Sequence, residues 1–250
     1  MGALTDDTPK SLLPIAGRSF LGHLAAELCA WKDLRDVHLA VNHRDAAAFR
    51  QWADTWRPRC AEHDVALHVH DDGVATPDNQ LGALGDLRFV LDQSGGLPSD
   101  GALVTGGDSL YRFPLAPILN RFNGSPSQVL ALYEPDPAVR RTRSVLQLDG
   151  ARVARIVDAP DDPPSDRVCP SWYLLSPEAL AEVRPYLDAG HDPDTLGPFV
   201  HYVAQRTRVE AVRLPDKPHL RLHCNTPDDL RRARTQLSDA PIHRLDADAV

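Results

Sequence analysis

The sequence predicts an α/β fold, a three-layer sandwich whose mostly parallel central sheet carries helices on both faces. Short apolar segments typical of buried strands alternate with stretches of helical length through the first half of the chain. The 250 residues, 42% of them hydrophobic, are enough for one core. We therefore expect a single domain over 1–237 and a C-terminal tail over 238–250.

The first half of the chain carries the alternating pattern. Strands are predicted at 37–41, 65–70 and 102–107, and helices near 45–56 and 81–92. Parallel strands need a crossover between them, and a helix is the usual one. This order of elements therefore predicts parallel β/α units.

The second half has a different pattern. The segments "SQVLALY", "SVLQLDG" and "RVARIVD" follow one another closely, with a turn at 149–151, which predicts a β-rich insertion. Ser176 and Thr226 are each followed by proline and a helical stretch, so both are expected to cap helix N-termini. The last helix is expected to end near Leu237.

Composition excludes several classes of protein. The formal net charge is −8 and the basic residues are scattered, which argues against a nucleic-acid surface. The four cysteines form no C-x-x-C pair, so a disulfide framework or a thiolate zinc site is not expected, and a reducing cytoplasm fits best. No apolar run approaches the ~20 residues of a membrane span.

Several segments carry a family resemblance in the right order. They are "TDDTPKSLLPIAG" at the start, "NQLGALGDLRFVL" at 79–91, "LVTGGDSLYRFPL" at 103–115 and "HCNTPDDLRRA" near the end. Together they resemble sugar-1-phosphate nucleotidyltransferases, in particular the glucose-1-phosphate thymidylyltransferase-like branch. The resemblance implies the nucleotidyltransferase fold, which is related to glycosyltransferase-A domains. It also implies transfer of a nucleotidyl group from an NTP to a sugar 1-phosphate or related cyclic phosphate, with Mg²⁺ as cofactor and an NDP-sugar and pyrophosphate as products.

The implied chemistry needs cations more than a base. The attacking sugar phosphate is already a dianion, so catalysis rests on in-line positioning and on neutralising the nucleotide phosphates. The resemblance gives Lys10 the role of a phosphate-binding charge and Asp108, after a strand, the role of metal ligand. His223 stands where the family has a second metal-binding aspartate, and imidazole is a poorer partner for a hard cation.

The resemblance also assigns the substrate-binding residues. Gln80, Gly82 and Gly85 would contact the nucleotide, although tight helix packing or a capped helix start explains the two glycines equally well. Ser144, Asp158 and Ser171 would face the sugar phosphate. The family lysine that follows the acid is replaced by Ala159, and the two serines stand where the family has glycine. We therefore expect that glucose 1-phosphate is not the best acceptor and that a cyclitol phosphate or modified sugar phosphate replaces it.

Other interpretations stay open at this stage. A degenerate, non-catalytic member would bind a nucleotide sugar or a partner protein, and a homo-oligomer is compatible with the sequence. A glycosyltransferase would carry a D-x-D motif, which "GGDS" lacks. His68 and His70 share one face of a strand, but a histidine pair without a third ligand nearby is usually a surface or half-buried pair.

The start of the chain carries a further expectation. Met1 stands where the family has Leu or Met, directly after the G-x-G-T-R motif. The native protein would then begin roughly 12 to 20 residues earlier, with one strand and a phosphate-binding loop.

Overall fold

The computed structural model describes residues 8–76, 79–217, 220–223 and 226–238. The expectation about Met1 and most of the predicted tail, 239–250, lie outside these residues. The chain divides into two compact units. Unit 1 comprises Met1–Gln80, Gly107–Arg121 and His219–Val250, and unit 2 comprises Leu81–Gly106 and Phe122–Pro218. The region predicted as a single domain therefore contains two units.

The elements are numbered in chain order. The first half contains β1 (Pro14–Ile15), β2 (Arg18–Ser19), α1 (Phe20–Leu28), β3 (Asp36–Val41), α2 (Ala46–Ala61), β4 (Ala66–Asp71), α3 (Ala83–Gln93), β5 (Ala102–Thr105), β6 (Ser109–Tyr111) and α4 (Ala116–Leu119). The second half contains β7 (Ser127–Tyr133), α5 (Pro137–Arg140), β8 (Ser144–Asp149), β9 (Arg152–Asp158), β10 (Arg167–Cys169), β11 (Trp172–Leu175), α6 (Pro177–Ala181), α7 (Val183–Asp188), α8 (Leu196–Ala204), β12 (Val209–Arg213), β13 (Arg221–His223) and α9 (Pro227–Ser238).

In unit 1, β3 and β4 form the parallel pair that the β/α alternation predicts. Their apolar residues and α2 enclose a core that includes Ala53, Trp56 and Leu67. The short strands β6 and β13 pair antiparallel. They share a second core with α9 and with the segment around Leu13 and Phe20.

In unit 2, a seven-stranded sheet has the order β10-β8-β9-β12-β7-β11-β5. Strand β10 also pairs with β7, so five of these strands close a ring. Side chains of β7, β8, β9 and β12 pack with α8 inside one core, as Val129, Leu146, Ile156, Phe199 and Val209 illustrate. Short antiparallel strands therefore dominate this unit, as the β-rich pattern predicts.

The structure confirms an α/β architecture but not a mostly parallel sheet. In the described sheets the parallel pairs are β3–β4 and β12–β7. Strand β11 runs antiparallel to both β5 and β7, which makes the large sheet mixed. Local sequence pattern sets the length of a strand, whereas its direction depends on the path of the chain between strands.

Two predicted helix caps are confirmed. The Ser176 hydroxyl accepts a hydrogen bond from the Ala179 amide at 3.2 Å. At the start of α9, the Asp229 amide donates to the Thr226 hydroxyl at 3.1 Å, and the Asp229 carboxylate accepts from the Thr226 amide at 2.9 Å. Among the described residues, no helix is both long enough and apolar enough to cross a membrane.

Candidate active site

Asp108 and His223 lie side by side in unit 1. Strand β13 pairs with β6 so that His223 stands opposite Ser109, the residue after Asp108. This register brings Nδ1 of His223 to 3.4 Å from Oδ1 of Asp108. Their side chains are 17% and 29% exposed, which leaves room for a ligand to reach them. The structure thus joins two predicted metal-site residues that are far apart in sequence.

Arg221 completes this cluster and was missed by the sequence analysis. Its Nη2 atom lies 3.0 Å from Nδ1 of His223, and its Nε–H donates to the Ser109 hydroxyl at 2.9 Å. Burial opposes ionisation of Asp108, but the hydrogen bond and charge of His223 and the charge of Arg221 outweigh it, so the pKa of Asp108 is below its usual value. The two-residue period of a strand places Arg221 on the face of His223, and this was the available signal.

Lys10 lies in a segment that packs beside Asp108, Arg221 and His223, which we call the Asp108 cluster. It begins a single 3₁₀ turn and is half-buried. A Cβ added to Gly107 would lie 3.5 Å from Cβ of Ser11. The residues next to Lys10 and Asp108 are therefore in close contact, which puts both predicted catalytic residues in one region of unit 1.

A small apolar core holds this region together. Leu13, Leu110, Leu222 and Leu230 belong to one cluster of buried side chains. They come from the segment after Lys10, from β6, from β13 and from α9. The core therefore joins every chain segment that carries a residue of the Asp108 cluster.

The predicted nucleotide-binding residues differ in their surroundings. Gln80 is exposed at the end of the first segment of unit 1. Gly82 precedes α3 in unit 2 with φ +77°, and a Cβ there would lie 2.5 Å from the Pro193 carbonyl oxygen. A Cβ on Gly85 would lie 3.0 Å from that of Leu81. Close packing thus explains Gly82 fully, and nucleotide contact remains a prediction for all three residues.

Two predicted substrate-binding residues form a pair in unit 2. Ser144 on β8 stands opposite Asp158 on β9, and its hydroxyl donates to the carboxylate at 2.7 Å. A Cβ added to Gly197, at the start of α8, would lie 3.3 Å from the Ser144 hydroxyl oxygen. Ser144 therefore lies between an exposed carboxylate and a helix N-terminus.

Ser171 lies close to this pair along the sheet. Cys169 pairs with Ser144, and Ser171 follows two residues later. Its carbonyl oxygen accepts hydrogen bonds from the Gly106 amide at 3.2 Å and from the Thr105 hydroxyl at 2.9 Å. The exposed Ser171 therefore sits where β5 ends and β11 begins.

The donor set of the Asp108 cluster fits Mg²⁺ in part. Mg²⁺ prefers oxygen ligands and is commonly held by one or two carboxylates together with substrate phosphates, so an ionised Asp108 is suitable. The His223 imidazole is a weaker partner, and the Arg221 guanidinium adds positive charge close by. Asp108 is therefore the residue of this cluster best suited to hold the ion.

Comparison with known proteins gives a consistent family. A family model described as "Nucleotidyl transferase" matches residues 2–212. The chain is 27% identical over 182 residues to a mannose-1-phosphate guanylyltransferase of Mycobacterium tuberculosis (strain ATCC 25618 / H37Rv). That alignment covers 72% of this chain and 46% of the relative, so the chain spans about half the length of the curated relative it matches.

Solved structures share the fold at low sequence identity. A protein described as a glucose-1-phosphate thymidylyltransferase from Bacillus anthracis, in complex with a sucrose, has a TM-score of 0.72 at 16% identity, with 96% of this chain and 91% of that chain covered. A CTP:phosphocholine cytidylyltransferase from Streptococcus pneumoniae has a TM-score of 0.69 at 14% identity, with 95% and 93% covered. Because the family model matches residues 2–212, which is most of this chain, the chain belongs to the nucleotidyl transferase family.

Proposed function

We propose that this protein transfers a nucleotidyl group from an NTP to a sugar 1-phosphate, releasing pyrophosphate and forming an NDP-sugar. The observation that carries the proposal is the Asp108 cluster, with Lys10 in the neighbouring segment, in a chain that belongs to the nucleotidyl transferase family. The name of the mannose-1-phosphate guanylyltransferase that it matches in sequence supports a sugar phosphate as acceptor.

The cations act on the nucleotide phosphates. The Lys10 ammonium would offset negative charge that shifts toward the leaving pyrophosphate. The Asp108 carboxylate would hold Mg²⁺, which when bound neutralises phosphate charge, and His223 is the neighbouring candidate ligand. The hydrogen bond and charge of His223, and then the charge of Arg221, outweigh burial and hold the pKa of Asp108 below its usual value, so a charged carboxylate is available to the ion at neutral pH.

The polar groups of unit 2 would orient the acceptor. The Asp158 carboxylate accepts hydrogen bonds and is exposed, so it suits sugar hydroxyls rather than a phosphate. The Ser144 hydroxyl fixes one carboxylate oxygen of Asp158 and leaves the other open to a sugar.

Gln80, in unit 1, would contact the nucleobase through its side-chain amide, which both donates and accepts hydrogen bonds.

Product analysis tests the proposal. The 250-residue chain, and beside it the product of the longest upstream in-frame extension of the gene, are incubated with Mg²⁺, each NTP and a panel of phosphorylated acceptors. Mass spectrometry should find an NDP-sugar and an equal amount of pyrophosphate for at least one pair of substrates. Binding of a nucleotide sugar by both proteins, without formation of any NDP-sugar, would contradict the proposal and favour a non-catalytic binding protein.

A further inference from the structure

A group of imidazoles and one carboxylate lies on one face of the β3–β4 pair, away from the Asp108 cluster. We call it the histidine face and define it as Asp36, His38, His68 and His70. In the parallel register, His38 stands opposite His68, and His70 follows two residues along β4. Alternate residues of a strand share a face, so all four project to the same side.

The other face of these strands explains why the histidine face is polar. Val37, Leu39 and Val69 belong to the apolar core formed with α2, together with Trp56 and Cys60. Packing against α2 therefore accounts for the apolar positions of β3 and β4. It does not require four adjacent metal-binding side chains on the opposite side.

The four side chains contact one another directly. Nε2 of His68 lies 2.9 Å from Oδ1 of Asp36, and Nδ1 of His38 lies 2.8 Å from Nε2 of His70. The rings of His38 and His68 stack with centroids 4.7 Å apart. Each histidine therefore has another group of the set within contact distance.

We propose that Asp36, His38 and His68 bind a borderline divalent transition-metal ion, with Zn²⁺ as the expected occupant. Each residue offers one ligand atom, and these atoms all lie within 4.8 Å of one another. Bond lengths of about 2.0–2.2 Å in a tetrahedral zinc site put ligand atoms about 3.3 Å apart, so the side chains must close slightly. The side chains of His68 and Asp36 are 43% and 51% exposed, which leaves them room to rotate.

The donor set distinguishes this site from a magnesium site. Two imidazoles with one carboxylate suit zinc, copper or nickel, whereas Mg²⁺ prefers oxygen ligands. His70 contacts a ring nitrogen of His38 and would fix the orientation of that ring, as groups next to metal ligands commonly do. A bound ion would link β3 to β4 and thereby stabilise unit 1.

Cobalt titration of the tag-free, full 250-residue protein tests this directly. Co²⁺ in a tetrahedral site gives strong visible d–d absorption. We expect this absorption to saturate at one equivalent, to disappear on addition of Zn²⁺ and to persist in excess Mg²⁺. Zn²⁺ should also raise the melting temperature of the protein.

Variants decide which residues bind. His68→Gln should weaken Co²⁺ binding at least about tenfold, because loss of a ligand costs no less than loss of a neighbouring group. His63→Gln, at an exposed histidine outside the set, should leave binding unchanged. Circular dichroism checks that each variant is folded. If His38→Gln does not fold, the Co²⁺ affinities of His68→Gln and Asp36→Asn still test the site, because these two side chains are 43% and 51% exposed. Absence of cobalt absorption in the parent protein, or unchanged affinity in His68→Gln and Asp36→Asn, would overturn the proposal.

Discussion

Replacement of Gly82 by alanine should strongly destabilise unit 2. Gly82 has φ +77° and ψ 162°, a conformation open essentially to glycine alone. An added Cβ would lie 2.5 Å from the Pro193 carbonyl oxygen and 2.8 Å from Cα of Asp194. Both neighbours are backbone atoms, so no side-chain rotation can relieve the contact.

The expected loss has two physical causes. Holding a non-glycine residue in this conformation costs about 1–3 kcal/mol. Overpacking against fixed atoms costs about a further 1–3 kcal/mol. Displacement of Pro193 would also weaken the 2.8 Å hydrogen bond from the Leu84 amide to its carbonyl oxygen. The free energy of unfolding should therefore fall by about 3 kcal/mol or more.

Gly150→Ala is the matched control, because Gly150 has φ +60° but no heavy atom within 4 Å of an added Cβ. It should lose only the conformational part, about 1–2 kcal/mol. Urea unfolding followed by circular dichroism measures both variants. A Gly82→Ala loss no larger than that of Gly150→Ala would refute the packing explanation. A stable Gly82→Ala protein that fails to bind nucleotide would assign Gly82 to the nucleotide site instead.

Four further outcomes are expected. Because the pKa of His38 is lowered in the folded protein, the unfolded chain takes up a proton first as pH falls. The free energy of unfolding should therefore decrease below about pH 6.5 until the folded-state pKa of His38 is passed. His38→Gln should reduce this pH dependence in urea unfolding measured from pH 7.5 to 5. Arg221→Gln removes a charge that lowers the pKa of Asp108. The acid limb of the pH–activity profile should therefore move to higher pH. An acid limb at the parent position would show that Arg221 does not act on this carboxylate. Ser144→Ala removes the hydrogen bond to the Asp158 carboxylate, so it should change KM for the acceptor more than KM for the NTP. In the acceptor panel, glucose 1-phosphate should not rank first. If it does rank first, the inference from Ser144, Ser171 and Ala159 about the acceptor is wrong.

Local features were predictable because their causes are local. The strand predicted at 37–41 is confirmed as part of β3, since its apolar residues face α2. Ser176 is confirmed as a helix cap because a hydroxyl followed by proline determines a helix start within one turn. The turn at 149–151 is likewise confirmed, with Gly150 at positive φ between β8 and β9.

Long-range pairing was not predictable in the same way. Strands β6 and β13 have three residues each, too few to show a periodic pattern, and more than a hundred residues separate them. Their pairing is what brings Arg221 to His223 and His223 to Asp108. The resemblance identified His223 and Asp108. Arg221 lies two residues before His223 on the same face of β13, so it became apparent only once these residues were known to form a strand.

The histidine face also depends on strand pairing that the sequence alone does not show. The sequence pattern identified His68 and His70 and lacked a third ligand near them. The third and fourth groups, Asp36 and His38, come from the neighbouring strand and are brought close by the parallel register of β3 and β4. A ligand set that crosses two strands is visible only once their alignment is fixed.

Nucleotidyl transfer through Asp108 is tested most directly by the rate of pyrophosphate release with the best NTP and acceptor pair. Asp108→Asn keeps the size of the side chain and removes its charge, so the rate should fall at least about tenfold, and removal of Mg²⁺ by chelation should abolish it. Asp33→Asn, at an exposed aspartate, is the control and should keep the parent rate. An Asp108→Asn protein that retains its fold and more than about a tenth of the parent rate would contradict the assignment of this carboxylate to the reaction.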